Sequence, residues 1–242
     1  MNEQNLSAIR SRFLIKVDVV TRTVLTAIGA LAIASVVSHG LAELSGYDRT
    51  RLLVRMFDLD AERNLPTVFT MILLCGASAL LSLISLLECQ RGSRYVRRWA
   101  VLSAGFLVMA LDEVLSLHEL LTLPMRGVLG SDHLGVLYFT WLVPALALIV
   151  ALALYFVSFL RALHTADRGR FLVSAAIYLA GAMGMEALGG ALAEGDGARG
   201  ALYVACTTVE EVLEMAGVAW FVRALLLYLR ARFPVVCVEV RG

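Results

Sequence analysis

Six apolar stretches dominate the chain, near residues 22–45, 66–88, 98–122, 134–161, 171–194 and 201–229. About 20 such residues cross the hydrocarbon core of a bilayer as a helix. Lipid offers no partner to an unpaired backbone group, so a spanning segment is either a helix or part of a closed barrel. The stretches are too long and too continuous for strands. The sequence therefore predicts an all-α, six-span transmembrane helical bundle. With 60% hydrophobic and only 17% charged residues, little chain is left for anything outside the membrane. A soluble domain has about 25% charged residues. Three segments follow: a basic cytoplasmic stretch over 1–21, the transmembrane domain over 22–230, and a short cytoplasmic tail over 231–242. The charged lead before the first stretch is long for a signal peptide, so that stretch is read as an uncleaved helix.

Cationic side chains orient such a bundle. Arg10, Arg12, Lys16 and Arg22 precede the first span, while Arg91, Arg94, Arg97 and Arg98 follow the second. Arg161, Arg168 and Arg170 follow the fourth, and Arg223, Arg230, Arg232 and Arg241 close the chain. Both termini are thus expected in the cytoplasm of a cell with an inner membrane. The loop after the first span, YDRTRLLVRMFDLDAERNLP, alternates leucines with arginines and acids, as a short helix lying on the membrane surface would. Membrane lipid is the expected surroundings, with a homo-oligomer or a membrane complex as further partners. A net charge of +1 gives no reason to expect nucleic acid. Four cysteines without CxxC spacing predict no disulfide framework.

Chemistry enters with eight carboxylates inside these stretches: Glu43, Asp112, Glu113, Glu119, Glu186, Glu210, Glu211 and Glu214. His39 and His118 accompany them, and no lysine or arginine stands among them. An ionisable group in a membrane helix is costly and marks a functional site by default. At about 1.5 Å of rise per residue, the first, third, fifth and sixth spans bring these groups to one layer in the outer half of the bilayer. The second and fourth spans bring none and are expected at the edge. Helical phase places Asp112, Ser116 and Glu119 on one stripe, with His118 and Glu113 off it. It likewise joins Thr207, Glu211 and Glu214, with Glu210 adjoining. Glu186 stands within GAMGMEALGG, where Gly181, Gly184, Gly189 and Gly190 invite close approach of a neighbouring helix. Asp112-Glu113-Val114-Leu115 is echoed by Glu210-Glu211-Val212-Leu213, a weak hint of a 3+3 inverted repeat.

Acids without cations must hold protons, share them with histidine, or bind a metal. The donor set suits a site for one or two divalent ions of iron, manganese or zinc. Its expected ligands are Asp112, His118, Glu119, Glu186, Glu210, Glu211 and Glu214, with His39 behind His118. Redox or hydrolytic chemistry on a lipid-soluble substrate would follow, although no catalytic residue is assigned and the sequence does not decide whether the chain is an enzyme. Proton- or cation-coupled transport is the alternative. Only Pro144 lies inside a span, so broken helices are not evident and argue little for transport. A third reading makes the acids polar glue between helices of an accessory subunit. His118-Glu119-Leu120-Leu121-Thr122 begins like a zinc-protease helix but has Thr122 where the second histidine belongs.

The pairing of LDEVLSLHE with EEVLEMAG resembles a set of bacterial polytopic membrane proteins that carry an intramembrane D-E-x4-H-E and a later E-E-x2-E-M-x-G. The likeness rests on Asp112, Glu113, His118 and Glu119, then Glu210, Glu211, Glu214, Met215 and Gly217. It implies a site at those positions and no particular activity.

Overall fold

The computed structural model describes residues 16–130, 134–195 and 200–233. The basic segment before residue 16 and the tail after residue 233 lie outside the described residues. The described chain is helical throughout, with no strand. The first span is α1 (Val17–Ser45), followed by the short α2 (Tyr47–Phe57) that was expected on the membrane surface. Next come α3 (Leu65–Gln90) and α4 (Val96–Leu115), a hairpin closed by a turn at 91–95. After α4 the chain makes a 3-10 turn (His118–Leu121) and α5 (Thr122–Leu129). Then α6 (Leu142–Ala162) leads to α7 (Thr165–Leu179), which passes through a π-helical turn (Ala180–Met185) into α8 (Glu186–Gly195). The chain closes with α9 (Ala201–Arg232). Five helices are long and apolar enough to cross a membrane, and α4 with residues 118–129, a pair bent by 81°, passes the same test when counted as one broken span.

The interior is built around α3 and α9, each 44% buried over its most apolar window, against 17% for α1 and α6. This corrects the expectation for the second span: α3 is central, while the fourth span, α6, lies at the edge and the first, α1, is as little buried. Between α3 and α4 the contact is partly polar. The Ser78 hydroxyl donates to the Ser103 carbonyl (2.8 Å) and the Ser103 hydroxyl to the Ser78 carbonyl (2.9 Å). Small hydroxylated residues let two backbones approach where no hydrophobic force separates helix from lipid. At one end of the bundle, Trp99 and Phe159, each 1% exposed, meet edge-to-face with centroids 4.9 Å apart. Tyr228 packs on the same indole, and its hydroxyl donates to Glu88 (3.0 Å).

Two spans depart from the continuous helices expected over 98–122 and 171–194. The third span stops at Leu115, because Ser116 takes a left-handed conformation (φ 50, ψ 46), and the chain then turns by 81°. A non-glycine residue there costs on the order of 1–3 kcal/mol, so the surroundings must hold it. Asp112 does so: its Oδ1 accepts from the His118 backbone N–H (2.8 Å), and its Oδ2 lies 2.9 Å from His118 Nδ1. The carboxylate satisfies a backbone donor that the break would leave unpaired in lipid. The stripe of Asp112, Ser116 and Glu119 therefore does not form. Pro124 carried the signal of this break: it sits in the first turn of α5, where proline's missing N–H costs nothing. The fourth span likewise begins at Leu142 rather than 134, after a 3-10 turn at Gly135–Leu137.

The fifth span is interrupted by the π turn directly before Glu186. Such turns occur as single bulges inside helices, frequently at functional sites. Here it brings Gly181 against α9, where a Cβ would stand 2.7 Å from the Glu210 carbonyl oxygen and 3.0 Å from Glu214 Cγ. Gly190 is similarly tight against Tyr138 and Phe139, Gly189 is in ordinary contact with Cys206, and Gly184 meets nothing within 4 Å.

Candidate functional site

The acids of α9 face the π turn and α8. Glu210 is 7% exposed and lies directly against Glu186. Its Oε2 is fully buried and has no hydrogen-bond partner among the described residues. Glu186 is oriented by Trp141, whose indole N–H donates to its Oε1 (2.9 Å). One turn further along α9, Glu214 accepts a hydrogen bond from the Tyr178 hydroxyl at the end of α7. Glu211 lies within electrostatic reach of Glu214, Glu113, Asp60 and Glu186. Glu113 of α4 is in turn a charge neighbour of Glu214. Five acids from α4, α8 and α9 thus form one cluster, and no lysine or arginine among the described residues forms an ion pair with them.

His118 borders the cluster without joining it as a free ligand. Its ring is engaged by Asp112 on one side and lies 4.9 Å, centroid to centroid, from Trp141 on the other. A chain of contacts therefore runs from Asp112 through His118 and Trp141 to Glu186 and Glu210. In this chain Asp112 holds the elbow and His118 at once, so both are committed to each other before any ligand arrives.

The loop of residues 58–64 supplies a component that the hydropathy reading passed over. Asp60 accepts from the Tyr203 hydroxyl (3.5 Å) and interacts with Glu186. Desolvation of its carboxyl, with the charges of Asp58 and Glu186, pushes its pKa up to about 6, against the pull of Tyr203 and His39. His39 Nε2 lies 3.1 Å from Asp58 Oδ1, so the first span reaches the site through this loop and not through the α9 acids. The signal in the sequence was the pair of acids in FDLDAE, a few residues before Asn64, which caps the next span.

Of the eight residues read as ligands, Glu186, Glu210, Glu211 and Glu214 come together. Asp112 and His118 pair beside them, and His39 pairs with Asp58. Glu119 lines a separate cavity with Glu62 and Arg63. Glu113, set aside by helical phase, belongs to the cluster as a charge neighbour of Glu211 and Glu214. Glu43 is exposed at the end of α1. Among the described residues, no three His, Cys, Asp or Glu side chains are arranged as a ready-made metal-ligating group. The acids instead face one another and two tyrosines in pairs. The arrangement holds protons readily: carboxyls in close contact cannot all ionise in a medium of low dielectric.

No curated protein and no solved structure matches the chain. A family model matches residues 23–229, a span that contains both acidic motifs and nearly all of the helices described above. The chain belongs to the family described as a domain of unknown function, DUF8692.

Proposed function

We propose that the protein is an integral membrane protein whose acid cluster is a cation-binding site that exchanges protons for a divalent metal ion. The observation that carries this reading is Glu210. Its buried Oε2 has no partner among the described residues, it lies against a second carboxyl, Glu186, and no lysine or arginine among the described residues forms an ion pair with either. A proton or a metal ion must neutralise such a pair, since an isolated buried charge is far too costly. Glu113, Glu186, Glu210, Glu211 and Glu214 would supply oxygen ligands, of the kind that manganese, iron or zinc accepts. Binding would displace the protons the acids share, because ligands bind deprotonated. Trp141 would keep Glu186 in place, and the Tyr178 hydroxyl would donate a hydrogen bond to the Glu214 carboxylate once its proton has left. When bound, the ion would supply Lewis-acid or redox chemistry within the membrane.

The test is elemental analysis of protein purified without chelator, combined with a proton-release titration against Mn²⁺ in weakly buffered detergent. About one metal per chain and release of one or more protons per ion are expected, both lost in Glu210→Gln/Glu214→Gln. Metal-free protein that releases no proton on adding Mn²⁺ would overturn the reading.

A second reading, coupled transport, is favoured by the two interrupted spans. Transporter sites are commonly built where helices break near the middle of the membrane. The elbow at Ser116 and the π turn before Glu186 both border the acids. In this reading the cluster would carry protons or a cation across an inner membrane, with both termini cytoplasmic. Proteoliposomes loaded with a pH-sensitive dye test it: flux that disappears in Glu211→Gln supports transport, and equal flux in both proteins rejects it.

A further inference from the structure

A cavity of about 540 Å³ lies at the elbow, outside the acid cluster, between the loop before α3 and the broken end of α4. Its polar wall carries Glu62, Arg63 and Glu119, and its apolar wall carries Leu115, Leu120 and Leu123. The only two non-glycine residues with positive φ among the described residues, Arg63 (φ 60) and Ser116 (φ 50), both line it. Two strained positions at one cavity are a reason to look for a ligand there.

The charges suggest which ligand. Arg63 forms no ion pair with Glu62 or Glu119, nor with any other described acid. One guanidinium and two carboxylates thus remain available to the same space. The leucines are strongly exposed, Leu120 at 69% and Leu123 at 80%, on a segment that belongs to a broken span. Arg63 stands two residues before the start of α3, so the polar wall sits where a span begins, at the level of lipid headgroups.

We infer that this cavity is a binding site for a phospholipid with a zwitterionic primary-amine headgroup, a phosphatidylethanolamine. Its phosphate oxygens accept from the Arg63 guanidinium, and its ammonium donates to Glu62 and Glu119. Its acyl chains run along Leu115, Leu120 and Leu123. A phosphatidylglycerol meets the same arginine but brings no cation to the two carboxylates, which then repel its phosphate. A volume of this size is within the range of about 300–1,000 Å³ usual for small-molecule sites. The inference does not rest on what the acid cluster binds: none of these six side chains belongs to it, and Glu62 reaches it only as a charge neighbour of Glu113.

Native mass spectrometry of the full chain in mild detergent, titrated with dioleoyl phosphatidylethanolamine or dioleoyl phosphatidylglycerol, tests the assignment. We expect the amine lipid to bind at least about tenfold more tightly, a difference of about 1.4 kcal/mol. Arg63→Ala should weaken both lipids. Glu62→Gln/Glu119→Gln should bring the amine lipid down to the level of the glycerol lipid without weakening the latter. These three side chains are exposed, so an unchanged melting temperature in the variants separates lost binding from lost fold. Equal binding of the two lipids, or a preference that survives Glu62→Gln/Glu119→Gln, would overturn the inference.

Discussion

Gly217 and Tyr178 touch backbone to backbone: a Cβ on Gly217 would stand 2.7 Å from the Tyr178 nitrogen and 2.8 Å from its Cα. Only glycine allows α9 to lie this close to the end of α7. The same closeness lets the Tyr178 hydroxyl reach Glu214, three residues earlier on α9. Packing and site chemistry meet at one position.

Gly217→Ala should therefore destabilise the protein by about 1–3 kcal/mol, since an overpacked contact against backbone cannot relax by turning a side chain. Thermal unfolding in detergent measures this. Gly184→Ala, facing open space, is the control and should stay within about 0.5 kcal/mol of the parent.

The elbow should depend on Asp112. Asp112→Ala removes both the acceptor of the His118 N–H and the partner of its ring. A loss of about 1–3 kcal/mol is expected, as for any buried donor left unsatisfied. His118→Ala removes only the ring contact and should cost less. Accessibility of a cysteine placed at Leu120 to a water-soluble maleimide should rise in Asp112→Ala and stay unchanged if the bend is held by something else.

Glu210→Gln should stabilise the metal-free protein above neutral pH. It keeps the shape of the side chain and removes an ionisable group held against Glu186 with an unpartnered oxygen. A gain of about 1 kcal/mol in unfolding free energy is the expected size. A lower melting temperature for the glutamine variant would mean that the Glu210 carboxylate already has a compensating partner.

Asp60 predicts a pH dependence with a definite sign. Its carboxyl titrates near 6 in the folded protein, above the ordinary 3.8 of the unfolded chain, so folding takes up a proton between those values. Stability from this group is fully present below about pH 4 and is lost as pH rises to about 6. Asp60→Asn lacks this dependence. The melting temperature of the parent relative to that variant should fall across this window and be flat above it.

Much of the architecture was legible in the sequence, because hydropathy is a local property and the bilayer imposes one answer on each long apolar run. The helices α1, α3, α7 through α8, and α9 lie where composition places them, and α2 occupies the amphipathic loop. Glu186, Glu210, Glu211 and Glu214 could be grouped from depth and small neighbours alone. What hydropathy could not convey is where a helix stops inside an apolar run. LDEVLSLHELL reads as continuous, yet the Asp112 carboxylate offers the His118 N–H a better partner than the next turn would, and the chain bends at Ser116. That event depends on a side chain folding back across six residues, and it moves Glu119 away from the cluster while leaving Glu113 in it.

By itself the sequence determined that this chain forms helices long and apolar enough to cross a membrane and carries its acids within them, since burial of apolar surface and backbone pairing are decided run by run. Only the tertiary structure decided which acids face one another and that α3 is central. It also decided that Asp60, from a loop, and Trp141, from the start of the fourth apolar stretch, complete the site. Those relationships depend on how closely glycines such as Gly181 and Gly217 let separate helices approach, and a distance between helices is not a property of either one alone.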